Sequence, residues 1–363
     1  MLPQSPPRDP RPDLADLELS AIEGAFVEAG LPKLRAKQVF RWIYRKGITD
    51  FEQMSDLPLE LRAQLARQFV ISTPHLVHEA RSTDGTRKFL FQLADGKRIE
   101  SVFIPDTPRQ TFCISSQVGC AMDCDFCLTG KMGFARNLTP AEITGQVRVL
   151  AAATDLRDKS FNIVLMGMGE PLHNYDAVMS SLRVLSDGQG LAVPPRRVTL
   201  STVGVLPAME KLAKEPVMPN LAVSLHATTN ATRDKIAPIN RKYPLEQLLD
   251  TCRRFPLNKR RQIMFEYVLL DGVNDTPEDA RRLASLLGDI KAKVNLLPLN
   301  AAPGIPYERP SDERVSAFGK ILADRGIWVS IRKSRGRDIR AACGQLIVEG
   351  QKKAAGARLA QLM

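Results

Sequence analysis

Residues 111–130 read TFCISSQVGCAMDCDFCLTG. The first seven have strand character, and they run without a break into a loop that spaces Cys120, Cys124 and Cys127 as CxxxCxxC. Downstream, short apolar strands alternate with helical stretches: FNIVLMGMGEP then YDAVMSSLRVL, RRVTLST then VLPAMEKLAK, NLAVSLHA then YPLEQLLDTCRRF. QIMFEYVLL then TPEDARRLASLL and VNLLPLN then SDERVSAFGKILADRG continue the pattern, and IWVSIRKS ends it. Together with TFCISSQ and its own helix TPAEITGQVRVLAAA this makes about six βα units, several with Pro or Thr at the helix start. Such alternation predicts a parallel, barrel-like α/β domain whose chemistry sits at the C-terminal strand ends. The cysteine loop lies at one of those ends.

Thiolates are soft ligands for zinc or iron–sulfur clusters, and a structural zinc site closes with four protein ligands. Here three cysteines fall within eight residues, and the next Cys and His downstream are Cys252 and His173. An open coordination position follows, which a zinc knuckle would not have. No apolar run approaches the length of a membrane span, and the proline-rich start has no apolar leader segment, so the chain is expected in the cytosol, with its thiols free.

The 363 residues exceed what one small core needs, so a main domain of roughly 200–250 residues plus an appendage is expected. Lys and Arg number 51 against 40 Asp and Glu, a formal charge of +11 that favours a polyanionic partner, nucleic acid first. Hydrophobic content of 44% with 25% charged residues excludes a largely disordered chain. Residues 1–15, with Pro3, Pro6, Pro7, Pro10 and Pro12, are expected to form a disordered tail. Over 16–75 apolar residues recur at helical spacing, which predicts a small helical domain. Its middle helix, LRAKQVFRWIYRKG, sets Arg35, Lys37, Arg41, Arg45 and Lys46 among Phe40, Trp42 and Tyr44, a mixture suited to RNA by phosphate contact and stacking. A solvated basic face is the alternative. Over 76–105, RKFLFQL and KRIESVFIP alternate about Ala94–Asp95–Gly96, a linking β-hairpin. The barrel is then assigned to 106–338 and a C-terminal extension to 339–363.

CxxxCxxC with Phe126 before its third cysteine resembles the radical S-adenosylmethionine (SAM) superfamily. The resemblance implies a partial (β/α)6 barrel in which Cys120, Cys124 and Cys127 hold one [4Fe-4S] cluster and SAM chelates the fourth iron. MGMGEP, which contains Gly169 and Glu170, then resembles the superfamily's motif for the SAM amino group: Gly169 would let backbone approach the ligand and Glu170 would accept from the ammonium. Ser201, the run Ser224, Leu225 and His226, and Asn300 end later strands, and by resemblance hold the ribose and methionyl parts of SAM. By itself His226 reads as a structural histidine.

Cys113 precedes the loop on its strand, facing opposite Phe112, and Cys343 follows the basic stretch Arg332, Lys333, Arg335, Arg337 and Arg340, which should favour its thiolate and gather phosphates. Cys252, in LLDTCRRF, reads as core filler. TFCISSQVGCAMDCDFC together with RGRDIRAACGQL resembles the RlmN family of RNA methyltransferases, and the likeness runs from about residue 17 onward. It implies methylation of adenine C2 in the peptidyl transferase centre of 23S rRNA and in the adenosine 3′ to the anticodon of some tRNAs. By the same resemblance Cys343 accepts a methyl group from one SAM, and a second SAM is cleaved to the radical that abstracts hydrogen from the S-methyl. The methylene adds to C2, Glu100 is the base that takes the C2 proton, and Cys113 forms a disulfide with Cys343 to release the RNA. A flavodoxin- or ferredoxin-like electron donor, a thiol reductant, a monomeric state and no membrane contact complete the expectation. A Cfr-like C8 methyltransferase shares these residues. A small-molecule radical enzyme would need neither the basic appendage nor the cysteine pair, and an RNA-binding protein with a structural cluster would not cleave SAM.

Overall fold

The computed structural model describes residues 9–105, 110–257 and 261–348. The N-terminal domain packs α1 (Leu19–Glu28), α2 (Lys33–Arg41) and α3 (Leu59–Gln68), with a wide helical turn at Trp42–Lys46 ended by Gly47 in left-handed conformation (φ 70°). Ile22, Phe26, Val39, Phe40, Ile43, Leu61 and Leu65 form its core, as the helical spacing requires. The boundary expected at residue 15 falls inside this domain. Leu14 and Ala15 are fully buried, Leu14 N–H donates to Val70 O (2.9 Å), and Val70 N–H donates to Pro12 O (3.0 Å). The prolines remove backbone donors but leave Leu14 free to insert, and Asp13 caps the short turn after it through Ala15 N–H (2.9 Å). Residues 1–8 of the expected tail lie outside the described residues.

The expected linker hairpin is part of the main sheet. β1 (His75–Arg81), β2 (Arg87–Gln92) and β3 (Arg98–Ile104) form an antiparallel meander, and β3 pairs antiparallel with β4 (Thr111–Cys113). The inserted loop begins with β5 (Gln117–Gly119), then α4 (Leu128–Met132) and β6 (Phe134–Asn137), β5 and β6 pairing antiparallel. From β4 the sheet becomes parallel through β7 (Asn162–Leu165), β8 (Val198–Thr202), β9 (Asn220–Ser224), β10 (Ile263–Leu269), β11 (Ala292–Pro298) and β12 (Trp328–Ile331).

The connections are helical: α5 (Pro140–Ala153), α6 (Tyr175–Ser186), α7 (Leu206–Leu212), α8 (Asn230–Ile236) with α9 (Leu245–Arg254), α10 (Pro277–Leu287) and α11 (Asp312–Ala323). Capping boxes at Thr139–Glu142 and Thr276–Asp279, each with Pro in the first turn, start α5 and α10 where the sequence signals lie. Sheet order follows chain order, and among the described residues β4 and β12 do not pair, so the barrel has an open seam. The helical domain docks on the barrel's outside: Val184 of α6 joins its core, Asp16 Oδ1 accepts from Ala141 N–H (2.8 Å), and buried Arg148 donates to Ser72 O (2.7 Å).

Because Leu14 is core, Leu14→Ala should lower unfolding free energy by about 2–5 kcal/mol, the usual cost of emptying a buried leucine site. Urea denaturation of the purified variant measures this; a change within about 0.5 kcal/mol would restore the tail reading.

Candidate active site

The cysteine loop is shaped by close backbone approaches. Gly119 has φ 77°, and a Cβ there would lie 1.9 Å from Gly133 O, so the turn admits only glycine. Cys120 N–H donates to Gly133 O (2.9 Å), Cys127 N–H to Cys124 O (3.1 Å) and Asp125 N–H to Ile236 O (3.0 Å). The Asp125 carboxylate pairs with Lys131 and accepts from Tyr307 Oη (2.8 Å). Cys120, Cys124 and Cys127 thereby border one cavity of about 170 Å³ at the C-terminal end of the barrel, where a parallel barrel keeps its chemistry.

Gly169, Glu170, Ser201, Ser224, His226 and Asn300 border the same cavity, so six of the seven residues read from strand ends converge there. Leu225 does not: its side chain is fully buried in the barrel core, because in a strand end that places Ser224 and His226 on one side the residue between them faces the other. Gly169 (φ 103°) serves packing as well as approach, since a Cβ there would meet Gln117 Cβ at 2.6 Å. Glu170 is buried, and Oε1 accepts from Leu172 N–H (3.0 Å) while Oε2 accepts from Val203 N–H (2.8 Å). Burial pushes its carboxyl up to about 7, against those donors. Ser201 and Ser224 hydroxyls face each other at 3.5 Å. Burial, with Arg233 nearby, pushes His226 down to about 3, so its ring is neutral. Nδ1 accepts from Val268 N–H (3.1 Å), which puts the ring proton on Nε2 as a donor. Its backbone is left-handed (φ 62°), a strained state for a non-glycine residue.

Two ionisable residues escaped sequence reasoning. Arg233, fully buried, donates to Leu225 O (3.0 Å), Val203 O (2.6 Å), Ser224 O (3.2 Å) and Asn240 Oδ1 (3.1 Å), tying the ends of β8 and β9 together. Nothing periodic in its segment marked it. Glu266 borders the cavity from β10, buried and bonded by Asn295 Nδ2 (3.0 Å), with Arg332 acting on its charge. A lone carboxylate in the apolar strand IMFEYVL was a usable signal.

A second, smaller cavity of about 30 Å³ lies at the barrel's seam. Val102, Ile104 and Cys113 border it from β3 and β4, Leu297, Pro298 and Arg332 from the far edge, and Cys343 from the C-terminal segment. Cys343 and Arg332 border both cavities. Burial pushes the Cys113 thiol up to about 12, with nearby Cys343 adding to this and Arg332 opposing it. The segment around Cys343 is tied to the cluster loop: Leu128 N–H donates to Gly344 O (2.8 Å), Thr129 Oγ1 to Leu346 O (2.7 Å), and Asn300 Nδ2 to Cys343 O (3.2 Å). Glu100 is buried on β3, ion-paired with Lys88 (2.9 Å), and its Oε2 accepts from Ile347 N–H (2.9 Å). Both contacts favour the ionised carboxylate, opposite in sign to the effect of burial. Cys252 is buried in the core of the barrel, and all six cysteines are free. Residues 349–363 of the C-terminal extension lie outside the described residues.

On the helical domain the basic side chains Lys37, Arg41, Arg45 and Lys46 are exposed, but Phe40, Trp42 and Tyr44 are buried. Stacking of bases on these rings is therefore excluded: they fill the domain's core, Trp42 Nε1 donating to Asp56 and Tyr44 Oη to Ala15 O (3.0 Å).

Among the described residues no three ligating side chains converge on one point as a mononuclear metal site requires. Cysteines that each hold a different iron stand around a cluster instead. Three soft donors bordering one cavity, with the buried Asn300 Oδ1 lacking a protein partner, fit a thiolate-held cluster with room for a small ligand beside it. Burial raises all three thiols above their ordinary range, so a cationic cluster is what would make them thiolates.

The class that this barrel and three-cysteine loop define is the radical SAM superfamily, whose family model matches residues 114–284. A second model, described as a ribosomal RNA large subunit methyltransferase N-terminal domain, matches residues 12–71 and includes the buried Leu14. The chain is 47% identical to a dual-specificity RNA methyltransferase RlmN of Erythrobacter litoralis, over 98% of this chain and 91% of that one. It is 50% identical to one of Pelobacter propionicus, over 92% and 95%. The crystal structure of a radical SAM methyltransferase from Sphaerobacter thermophilus superposes with TM-score 0.88 at 45% identity, covering 92% of this chain and 99% of that one. The chain belongs to the RlmN family.

Glu170 carries a pH signature. Its carboxyl titrates near 7 when folded, above its ordinary 4.5, so the folded state holds the extra proton and wild-type stability falls as pH rises from about 4.5 to about 7. Urea unfolding of cluster-free protein should show Glu170→Gln gaining on wild type across that window by an amount on the order of 3 kcal/mol, and no further above it. A pH-independent difference would contradict the assignment.

Proposed function

We propose that the protein methylates C2 of an adenosine in the peptidyl transferase centre of 23S rRNA and of the adenosine 3′ to the anticodon in certain tRNAs. The observation that carries this reading is Cys343, which borders the cluster cavity on one side and the Cys113 cavity on the other. The [4Fe-4S] cluster held by Cys120, Cys124 and Cys127, with SAM as its ligand, supplies the one-electron chemistry that activates a methyl group toward an electron-poor ring carbon.

The chain's own residues do the rest. Glu170 has lone pairs left to accept the SAM ammonium after its two backbone donors. Ser201, Ser224, the Nε2–H of His226 and Asn300 Oδ1 line the wall for its polar groups, and backbone at Leu225 is held in place by Arg233. Two SAM molecules are used per turnover, one to methylate Cys343. Cys343 can take that methyl group from the cluster side and present it to RNA. Cys113, held neutral by burial although Arg332 opposes it, gives up its proton as it attacks the Cys343 sulfur; the S–S bond forms as the Cys343 S–CH2 bond breaks, and the electron pair goes to the RNA-borne carbon, which takes a proton to become the methyl group. Glu100 lies on β3 two residues from Val102, which pairs with Cys113, so it shares that face and serves as the base for the C2 proton.

The exposed cations of the helical accessory domain, together with exposed Lys333, Arg337 and Arg340, supply phosphate contacts. We take the enzyme to be a cytosolic monomer served by a flavodoxin- or ferredoxin-like electron donor and a thiol reductant. Among the described residues no helix is long and apolar enough to cross a membrane, and free cysteines suit a reducing compartment. The RlmN naming of the relatives favours C2 over the Cfr-like C8 outcome, and mass mapping of the product nucleoside decides it.

With reconstituted enzyme, SAM and dithionite, Cys113→Ala should accumulate a covalent protein–RNA adduct on denaturing gels, whereas Cys343→Ala should form none. Normal release of methylated RNA by both variants would refute the two-thiol scheme. Replacing Lys37 and Arg45 by Ala should weaken RNA binding and flatten the log–log salt dependence by up to about 1.8, about 0.9 per lost phosphate contact. An unchanged slope would remove the helical domain from the interface.

A further inference from the structure

Lys88 stands in a row that runs across three strands. On β2 it pairs with Val102 of β3, and Val102 pairs with Cys113 of β4, so the three side chains share one face of the sheet. Val102 and Cys113 border the seam cavity that Cys343 enters. Glu100 lies two residues from Val102 on that face, and Lys88 Nζ reaches its Oε1 at 2.9 Å, with side-chain exposures of 16% and 6%. The same ammonium donates to Arg340 O (3.3 Å), three residues before Cys343, and the other carboxylate oxygen accepts from Ile347 N–H, four residues after it. The ion pair thus grips both flanks of the reactive cysteine.

We propose that Lys88 is a positioning residue for removal of the C2 proton, an inference that rests on the reading of Glu100 as base. A carboxylate this buried, left alone, favours its protonated form, and a protonated carboxyl cannot take a proton. The Lys88 ammonium keeps Glu100 ionised and fixes its orientation, while its bond to Arg340 O sets the distance between base and the Cys343-borne adduct. In the step itself the proton leaves C2 for the Glu100 carboxylate, the C–H electron pair stays with the ring, the one excess electron left by radical addition passes to the one-electron acceptor that the cluster would supply, which restores aromaticity, and Lys88 keeps its own protons throughout. Lys88 therefore acts after the methyl group has reached RNA and has no part in SAM cleavage or in methylation of Cys343.

The test uses reconstituted holoenzyme with SAM, dithionite and a tRNA transcript carrying the target adenosine. It follows 5′-deoxyadenosine, S-methylation of Cys343 by peptide mass, and adduct and released RNA on denaturing gels. Lys88→Met should slow release from the adduct by about tenfold or more, short of the roughly hundredfold or greater cost of losing the general base itself, while 5′-deoxyadenosine formation and Cys343 methylation stay within about twofold. Lys88→Arg, which keeps the charge, should restore at least half of the release rate. Lys88→Gln, read the same way, replaces Lys88→Met if that variant does not fold. Wild-type release by Lys88→Met, equal slowing by Lys88→Arg, or parallel loss of Cys343 methylation would each overturn the proposal. Glu100→Gln separates the two readings: if it stalls at the adduct while Lys88→Met does not, only the role of Lys88 falls, and if it releases RNA normally, both fall.

Discussion

An open parallel barrel has a seam, and in this protein the seam is held by hydrogen bonds to one short C-terminal segment. Gly344 O and Leu346 O accept from Leu128 and Thr129, immediately after the last cluster cysteine, and Ile347 N–H reaches Glu100 across the gap. Gly344, left-handed at φ 80°, lets the segment turn at that point. Cys343, more than two hundred positions from the cysteine loop, is thereby held between the cavity that loop borders and Cys113.

The walls of the site show how buried polarity is managed. Arg233 satisfies four acceptors with one guanidinium and so holds two strand ends in register, Glu170 joins the short turn after β7 to the end of β8, and Asn274 donates to His226 O (2.7 Å) and Val268 O (2.7 Å). Each of these groups would be costly to bury alone. Satisfied by backbone, they make the strand ends rigid enough to present Ser201, Ser224 and His226 to a ligand.

Much of this was legible beforehand for stated reasons. The βα alternation, the capping signals at Thr139 and Thr276, and the cysteine spacing are local, and local patterns survive folding because neighbours along the chain enforce them. Elsewhere a distant contact overrules the local pattern. The proline-rich start predicts a tail, yet Leu14 is buried against residues some fifty positions away. The aromatic residues of the middle helix predict a stacking surface, yet Phe40 and Tyr44, four apart on one face, fill the domain's core, and Trp42, on another side, is covered by Lys46 and bonded to Asp56. The hairpin's alternation predicts a linker, yet β3 pairs with β4 and carries Glu100 to the seam.

By itself the sequence determined the parallel barrel, the three-cysteine loop at a strand end and the polar character of the rim, because each follows from spacing over a few residues. Only the tertiary structure decided which polar residues face the cavity and which, like Leu225, face the core. It alone brought Lys88, Glu100, Cys113 and Cys343 to one seam, because strand register and barrel closure are set by packing between segments that no local pattern connects.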